Sequence, residues 1–209
     1  MTGLKNRADD YLIRAMDVLV AGILIIIFSP LMVIVAIMVL VFIGSPLLYV
    51  TKRVGLNGVE YKHCKFKSML PGKETGRIFF EQDRLNRCGK LLRSLHLDEL
   101  PELFSIFIGK MSFVGPRPLP RYLLDGLDTS LRETVPPGWT GPGQVWLLKN
   151  GSLDKQHQIE LDNKYVEKRS LLLNLKIIAM TIVYSFQRKK IDLAPDSTDD
   201  RVKYGGGIY

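Results

Sequence analysis

The segment His96, Leu97, Asp98, Glu99, Leu100, Pro101, Glu102, Leu103, Phe104 sets two adjacent carboxylates beside a proline and an apolar run. The order predicts a helix start, with Asp98 as the cap, Glu99 first and Pro101 in the opening turn, where its missing donor costs nothing. Free amides and the positive end of the helix dipole would favour Asp98 as a carboxylate and draw phosphate to the same spot. Neighbouring helical side chains point about 100° apart, so one carboxylate can attack while the other holds a cation or a proton. Taken alone, an Asp-Glu pair at a helix start is usually just capping. Arg84, Arg87, Arg93 and Arg117 alter that balance, because planar guanidinium forks fit phosphate oxygens.

These residues must be held by one domain, since 209 residues build one core but not two complete ones. Leu47 to Thr51 and Glu60 to Phe66 are short β-prone runs joined by Gly55, Asn57 and Gly58, which predicts a hairpin. Asp83 to Leu95 has helical spacing at Leu85, Leu91 and Leu92. Gly115 to Pro120 is too rich in proline for helix or central strand and predicts a stiff extended turn. Pro136, Pro137, Gly138, Gly141, Pro142 and Gly143 mark a second loop, Asp154 to Lys168 a polar helix, and residues 191–209 a weakly ordered tail. Cys64 and Cys88 have neither metal-ligand spacing nor a C-x-x-C pair, which argues against a disulfide framework or a zinc site.

Charge and hydropathy are unevenly spread. Of the net +8, residues 52–93 supply +7, from eleven basic and four acidic side chains. That excess suits an anionic surface or a phosphate-bearing ligand. Val18 to Thr51 carries no charge, and its most apolar part, Val18 to Ile43, is 26 residues long, enough to cross a bilayer core of ~30 Å. Ser29 and Pro30 divide it into halves of about 16 to 20 Å at ~1.5 Å per residue, each reaching the midplane without spanning. Pro30 removes a backbone donor, and the Ser29 hydroxyl can satisfy the freed carbonyl. A re-entrant bend and a kinked single-pass helix both fit these features, and the flanking charge does not choose between them. Leu171 to Phe186, followed by Gln187, Arg188, Lys189 and Lys190, fits an interfacial amphipathic helix or a core helix capped by cations. Leu100 to Ile108 is a third apolar stretch and would place a site built on Asp98 near the membrane surface.

Five segments in this order carry a resemblance. They are Ser29-Pro30 in the apolar run, Lys65 to Met69, Leu91 to Pro101, Met111 to Pro118, and Gly141-Pro-Gly-Gln144-Val. Together they resemble the monotopic phosphoglycosyl transferases, or bacterial sugar transferases, over about residues 10–185. The resemblance implies a mixed α+β, mainly helical fold: a re-entrant membrane helix hairpin, interfacial amphipathic helices and a small β-hairpin. It implies a single membrane-associated catalytic domain over 1–209, with the re-entrant helix at 14–46, a cytoplasmic catalytic part at 47–190 and the tail at 191–209. It places the protein on the cytoplasmic face of the bacterial inner membrane.

The implied reaction moves a phosphosugar from a UDP-sugar to polyprenyl (undecaprenyl) phosphate, releasing UMP, as the first membrane step of a surface polysaccharide or glycoconjugate. By resemblance Asp98 is the nucleophile and Glu99 assists with the metal or the acceptor phosphate, with Mg²⁺ the expected ion on both. Arg93 and Arg117 match arginines near the diphosphate, Lys65 a required lysine and Asp162 an acidic residue of the later helix. Gln144 belongs to the last matched segment. Plain alternatives stand beside these: a solvated strand lysine, a helix-surface charge, a turn arginine between prolines. The chain departs from the family pattern at Pro136-Pro137-Gly138 and at Trp146 to Gly151, where Lys149 stands in for an arginine. Substrate identity is what that departure leaves open. The partners expected are UDP-sugar, polyprenyl phosphate and the lipid bilayer, with a homodimer allowed and no nucleic acid. The rival reading is a non-enzymatic surface module whose basic segment binds anionic lipid. It explains the charge asymmetry but not the joint presence of Asp98-Glu99-Leu-Pro101 and Pro116-Arg117-Pro118.

Overall fold

The computed structural model describes residues 2–70 and 84–187, so the expected tail at 191–209 lies outside the described residues. Helix α1 runs from Thr2 to Phe42 without interruption and contains Pro30. The expected division into two helices is therefore corrected: the helix continues through Ser29 and Pro30. The reason is local. Pro30 withholds one donor, from the carbonyl of Ile26, and the Ser29 hydroxyl donates to that carbonyl at 2.8 Å. From Asp9 to Phe42 the helix is long and apolar enough to cross a membrane. Its burial is nevertheless split: Ile13, Asp17 and Ala21 are buried on one flank and Met32, Val35 and Val39 on the other, while nothing between residues 22 and 31 is.

Both flanks of α1 are bonded to the rest of the chain. Arg14 donates to the carbonyls of Ile106 and Phe107, each at 2.7 Å, and the Phe113 amide donates to Asp17 at 3.2 Å. At the other end the Asn86 side chain donates to the Phe42 carbonyl at 2.7 Å, and Lys67 donates to the carbonyl of Ser45 at 2.9 Å.

The predicted hairpin is present as antiparallel strands β1 (Leu48–Val54) and β2 (Glu60–Phe66), the first starting one residue later and ending three residues later than read from sequence. Asn57 takes the left-handed conformation at its turn, which asparagine tolerates better than most residues. Helix α2 (Arg87–Ser94) begins where the Asn86 side chain accepts from the Gly89 amide. Gly89 lies so close to the Ser68 carbonyl that an added Cβ would sit 2.0 Å from it.

Asp98 and Glu99 do not open the next helix, which corrects the expected cap. They lie in a separate 3-10 turn, Leu97–Glu99, and α3 (Glu102–Phe107) starts after Pro101. The amides of Glu99, Leu100, Leu103 and Phe104 each donate three residues back. Pro101 has no amide to continue that series, so the turn and the helix are joined but distinct.

Strands β3 (Ser112–Val114) and β4 (Gly138–Thr140) pair in parallel. The stiff turn after β3 is present, and at Gly115 a Cβ would meet the Pro136 carbonyl at 2.4 Å. Helix α4 (Pro142–Asn150) follows, then the predicted polar helix α5 (Lys155–Lys168), capped by Asp154, whose side chain accepts from the His157 amide, and α6 (Leu171–Gln187). One core joins α1, β2, α2, α3, β3, α4, α5 and α6 through residues such as Val35, Phe66, Leu92, Leu103, Val114, Val145, Tyr165 and Ile177. α6 buries Asn174 and Ile177 but exposes Leu172, Leu175, Ile182, Val183 and Phe186, and α3 exposes Phe104 and Phe107.

Candidate functional site

The carboxylate pair sits where the edge of β2 meets the turn before α3. Lys65, near the end of β2, donates to Glu99 Oε1 at 2.6 Å, and the Trp139 indole of β4 donates to Glu99 Oε2 at 3.2 Å. Both Glu99 oxygens are thus committed. Burial pushes the Glu99 carboxyl up, but the charge and hydrogen bond of Lys65 outweigh it and hold the group below its ordinary value. Burial alone would push Lys65 down, and Glu99, Glu102 and Asp98 together keep it raised and charged.

Asp98 differs. It is 8 % exposed, and among the described residues no other side chain hydrogen-bonds its carboxylate. Burial pushes it up to about 6, with the Glu99 charge adding, while Lys65, Arg93 and its own amide oppose. Near neutral pH such a group is mostly ionised and far more basic than an ordinary aspartate. A shielded carboxylate flanked by cations and holding no hydrogen bond to another side chain is suited to act as a nucleophile.

Arg93 is brought to Asp98 by α2, and its Nε donates to Ser68 Oγ at 3.0 Å. Arg84 spends its Nε on the Leu70 carbonyl at 3.0 Å. Arg117 sits in the stiff turn after β3. Its carbonyl accepts from Arg132 at 2.5 Å, and its charge faces Asp162. Asp162 is fully buried: Arg132 Nε lies 3.1 Å from one oxygen, and Gln158 donates to the other at 2.9 Å. Burial nonetheless pushes Asp162 up to about 6. The structure therefore joins Lys65, Arg93, Asp98 and Glu99 in one cluster, and Arg117 and Asp162 in a second, linked through Arg132. Gln144 lies in the first turn of α4, its Oε1 buried without a partner, and Lys149 is exposed in the last turn.

Four residues were not legible in the sequence. Arg132 anchors Asp162, Trp139 orients Glu99, and Glu102 and His63 lie beside Lys65, each 3.3 Å from its partner. The available signal for Trp139 is chemical: an indole drawn into a packed site needs an acceptor for its one donor. Among the described residues no group of three or more His, Cys, Asp or Glu side chains forms a preassembled metal cage. The donor set still fits Mg²⁺, which is held by one or two carboxylates while substrate phosphates and water complete its shell. Asp98 offers oxygens that no other side chain hydrogen-bonds, whereas Glu99 would first have to exchange Lys65.

Residues 8–188 match the family model described as bacterial sugar transferase. The chain is 36% identical over 178 residues to a UDP-N-acetylgalactosamine-undecaprenyl-phosphate N-acetylgalactosaminephosphotransferase of Aeromonas hydrophila, covering 81% of this chain and 42% of that protein. It is 34% identical over 189 residues to a UDP-glucose:undecaprenyl-phosphate glucose-1-phosphate transferase of Klebsiella pneumoniae, covering 84% and 40%. To the exopolysaccharide production protein ExoY of Rhizobium meliloti it is 33% identical over 193 residues, covering 81% and 83%. The chain thus spans about two fifths of the first two relatives and most of the third. With the matched segments, the buried Asp98 beside Glu99 and these similarities over most of its length, the chain belongs to the bacterial sugar transferase family.

Proposed function

We propose that the chain transfers a phosphosugar from a UDP-sugar to undecaprenyl phosphate, with Asp98 as the covalent carrier. The observation that carries this reading is the contrast within the pair: Glu99 is held by Lys65 and Trp139, while Asp98 is buried, raised to about 6 and bonded to no other side chain among the described residues. The Asp98 oxygen attacks the sugar-bearing phosphorus, the bond to the bridging oxygen breaks, and UMP leaves. An oxygen of polyprenyl phosphate then attacks the same phosphorus, which restores the carboxylate and yields polyprenyl-diphosphate-sugar. Lys65, Arg93 and Arg117 offset the charge of the diphosphate. Asp162 acts through Arg132, which ties it to the turn that carries Arg117. Gln144 and Lys149 of α4 are assigned to the nucleotide sugar by the family resemblance alone. Mg²⁺ on Asp98 and Glu99 would supply further neutralisation of phosphate charge.

The test is to incubate the protein with sugar-labelled UDP-sugars and no acceptor, then weigh the peptide that contains Asp98. A phosphosugar adduct is expected. Its absence while turnover is demonstrable, with substantial activity left in Asp98→Asn, would overturn the assignment.

The same reading places the protein on the cytoplasmic face of the inner membrane, with α1 bending at Ser29 and Pro30 as one continuous helix so that both of its ends return to that face. Its support is that both flanks of α1 bond to one packed body, while its middle, around Ile26 and Ile27, is exposed. The exposed apolar faces of α3 and α6 would then lie in the interface. Cysteine labels near Lys5 and Lys203 are expected to react from the same side of sealed cells. Labelling from opposite sides would establish a spanning helix instead.

A further inference from the structure

Behind the carboxylate pair runs a file of polar groups that the transfer steps above do not use. Alternation along β2 sets Tyr61, His63 and Lys65 on one face. The Tyr61 hydroxyl lies 3.4 Å from His63 Nδ1, and His63 Nε2 lies 3.3 Å from Glu102 Oε1. The same Glu102 oxygen is 3.3 Å from Lys65 Nζ, whose shorter contact, at 2.6 Å, is with Glu99. Lys65 therefore sits between two carboxylates, three residues apart on the turn and helix that follow Asp98.

The two carboxylates are not equivalent. The Lys65 and Glu99 side chains are 30% and 26% exposed, so both reach the open side of the site. The side chains of His63 and Glu102 are 6% and 3% exposed, among core residues such as Leu103 and Ile106. Burying a carboxylate there is costly, and an apolar side chain of similar volume would fill the space with less penalty. The free amides of α3's first turn favour an acid at its first position, but they do not account for its Oε1 facing His63 and Lys65. What the acid adds is a fixed anchor behind the Lys65 ammonium.

We propose that Glu102, whose buried Oε1 makes no hydrogen bond and lies 3.3 Å from both His63 Nε2 and Lys65 Nζ, is the positioning residue for Lys65, acting on it through charge. It keeps the ammonium at the edge of the carboxylate pair when Glu99 turns to a substrate phosphate or an ion. Without it, Lys65 is tethered by Glu99 alone and leaves its place when Glu99 is engaged. This inference rests on the reading that Lys65 and Glu99 serve phosphosugar transfer.

The experiment pairs turnover with a readout that needs none. Glu102→Ala, Glu102→Gln and His63→Ala are compared with wild type for UMP release, using a UDP-sugar that the wild type consumes. Per folded molecule, Glu102→Ala is expected to lower kcat about 10- to 100-fold, the range for a displaced catalytic group, with KM for the nucleotide sugar close to wild type. Glu102→Gln, which keeps the shape but removes the charge, is expected to show most of that loss, and His63→Ala a smaller one.

In parallel, lysines are methylated with formaldehyde and a hydride donor and counted by peptide mass spectrometry. The labelling is done in a Glu99→Gln background, which removes the shorter ion pair of Lys65; there, adding Glu102→Ala is expected to raise Lys65 labelling severalfold, with Lys62 and Lys110 unchanged. Unchanged Lys65 labelling on adding Glu102→Ala to a folded Glu99→Gln protein would overturn the proposal, as would wild-type kcat in the Glu102→Ala single variant. A rise at all three lysines marks unfolding, and the decision then passes to Glu102→Gln and His63→Ala under the same two criteria. If the wild type releases no UMP from any UDP-sugar, the functional reading fails, while Lys65 labelling still decides where Glu102 holds it.

Discussion

Asp98 and Asp162 are both buried carboxylates that burial pushes up to about 6, yet their surroundings differ. Both oxygens of Asp162 are occupied, one by the Arg132 guanidinium and the other by the Gln158 amide. Asp98 faces the charges of Lys65 and Arg93 and takes no hydrogen bond from either. A raised carboxylate with both oxygens bonded to side chains is part of the framework, because attack by it would first break an interior ion pair. A raised carboxylate with free lone pairs is a reactive group held ready. Burial and titration behaviour look alike at the two sites, and the bonding tells them apart.

The largest effect should come from exchanging the two sites' substitutions. Asp98→Asn is expected to abolish UMP release and product formation while the thermal midpoint does not fall, since a costly buried charge has been removed. Asp162→Ala is expected to do the reverse, losing roughly 3 to 5 kcal/mol of stability because Arg132 is left buried without its partner. A UMP-release assay on folded protein checks the activities, and calorimetry on the same preparations checks the stabilities. A fully active Asp98→Asn protein would erase the distinction.

The cations beside each carboxylate offer a second, smaller contrast. Arg93→Ala should cost on the order of 2 to 4 kcal/mol in kcat/KM, as should Arg117→Ala, the range for a lost contact to transition-state charge. Lys168→Ala, on the exposed surface, should cost almost nothing. Arg132→Ala should act on stability first, since it frees Asp162 and the Arg117 carbonyl together. Equal small losses from Arg93, Arg117 and Lys168 would favour the lipid-binding module.

The smallest effect lies in pH. Turnover should rise as pH increases through about 6, because Asp98 must be ionised to attack. Stability should move the other way. Both folded-state values lie above the ordinary 3.8, so the folded protein binds more protons than the unfolded chain between about 4 and 6. Stability is therefore expected to decline across that window and level off above it. Asp98→Asn should remove part of the decline, which denaturant titrations at several pH values would measure.

The β1–β2 hairpin, the stiff turn at Gly115 to Pro120, the polar helix from Asp154 and the apolar run are all legible in the amino-acid order. Each rests on turn residues, caps or periodicity acting within a few positions. The proximity of Asp98 and Glu99 needs no structure, because adjacent residues cannot be far apart. Their separate 3-10 turn was less legible, since it depends on where the Pro101 break falls between two competing helix starts. What only the tertiary structure decided is which of the many charged residues meet. Lys65 reaches Glu99 across 34 positions, Trp139 reaches it across 40, and Arg132 reaches Asp162 across 30. Local pattern carries no information on such pairs, because side chains so distant in sequence meet only when packed strands and helices bring their backbones together. Asp98 and Asp162 are both aspartates in the sequence, and only packing made one a carboxylate free of side-chain bonds and the other a locked strut.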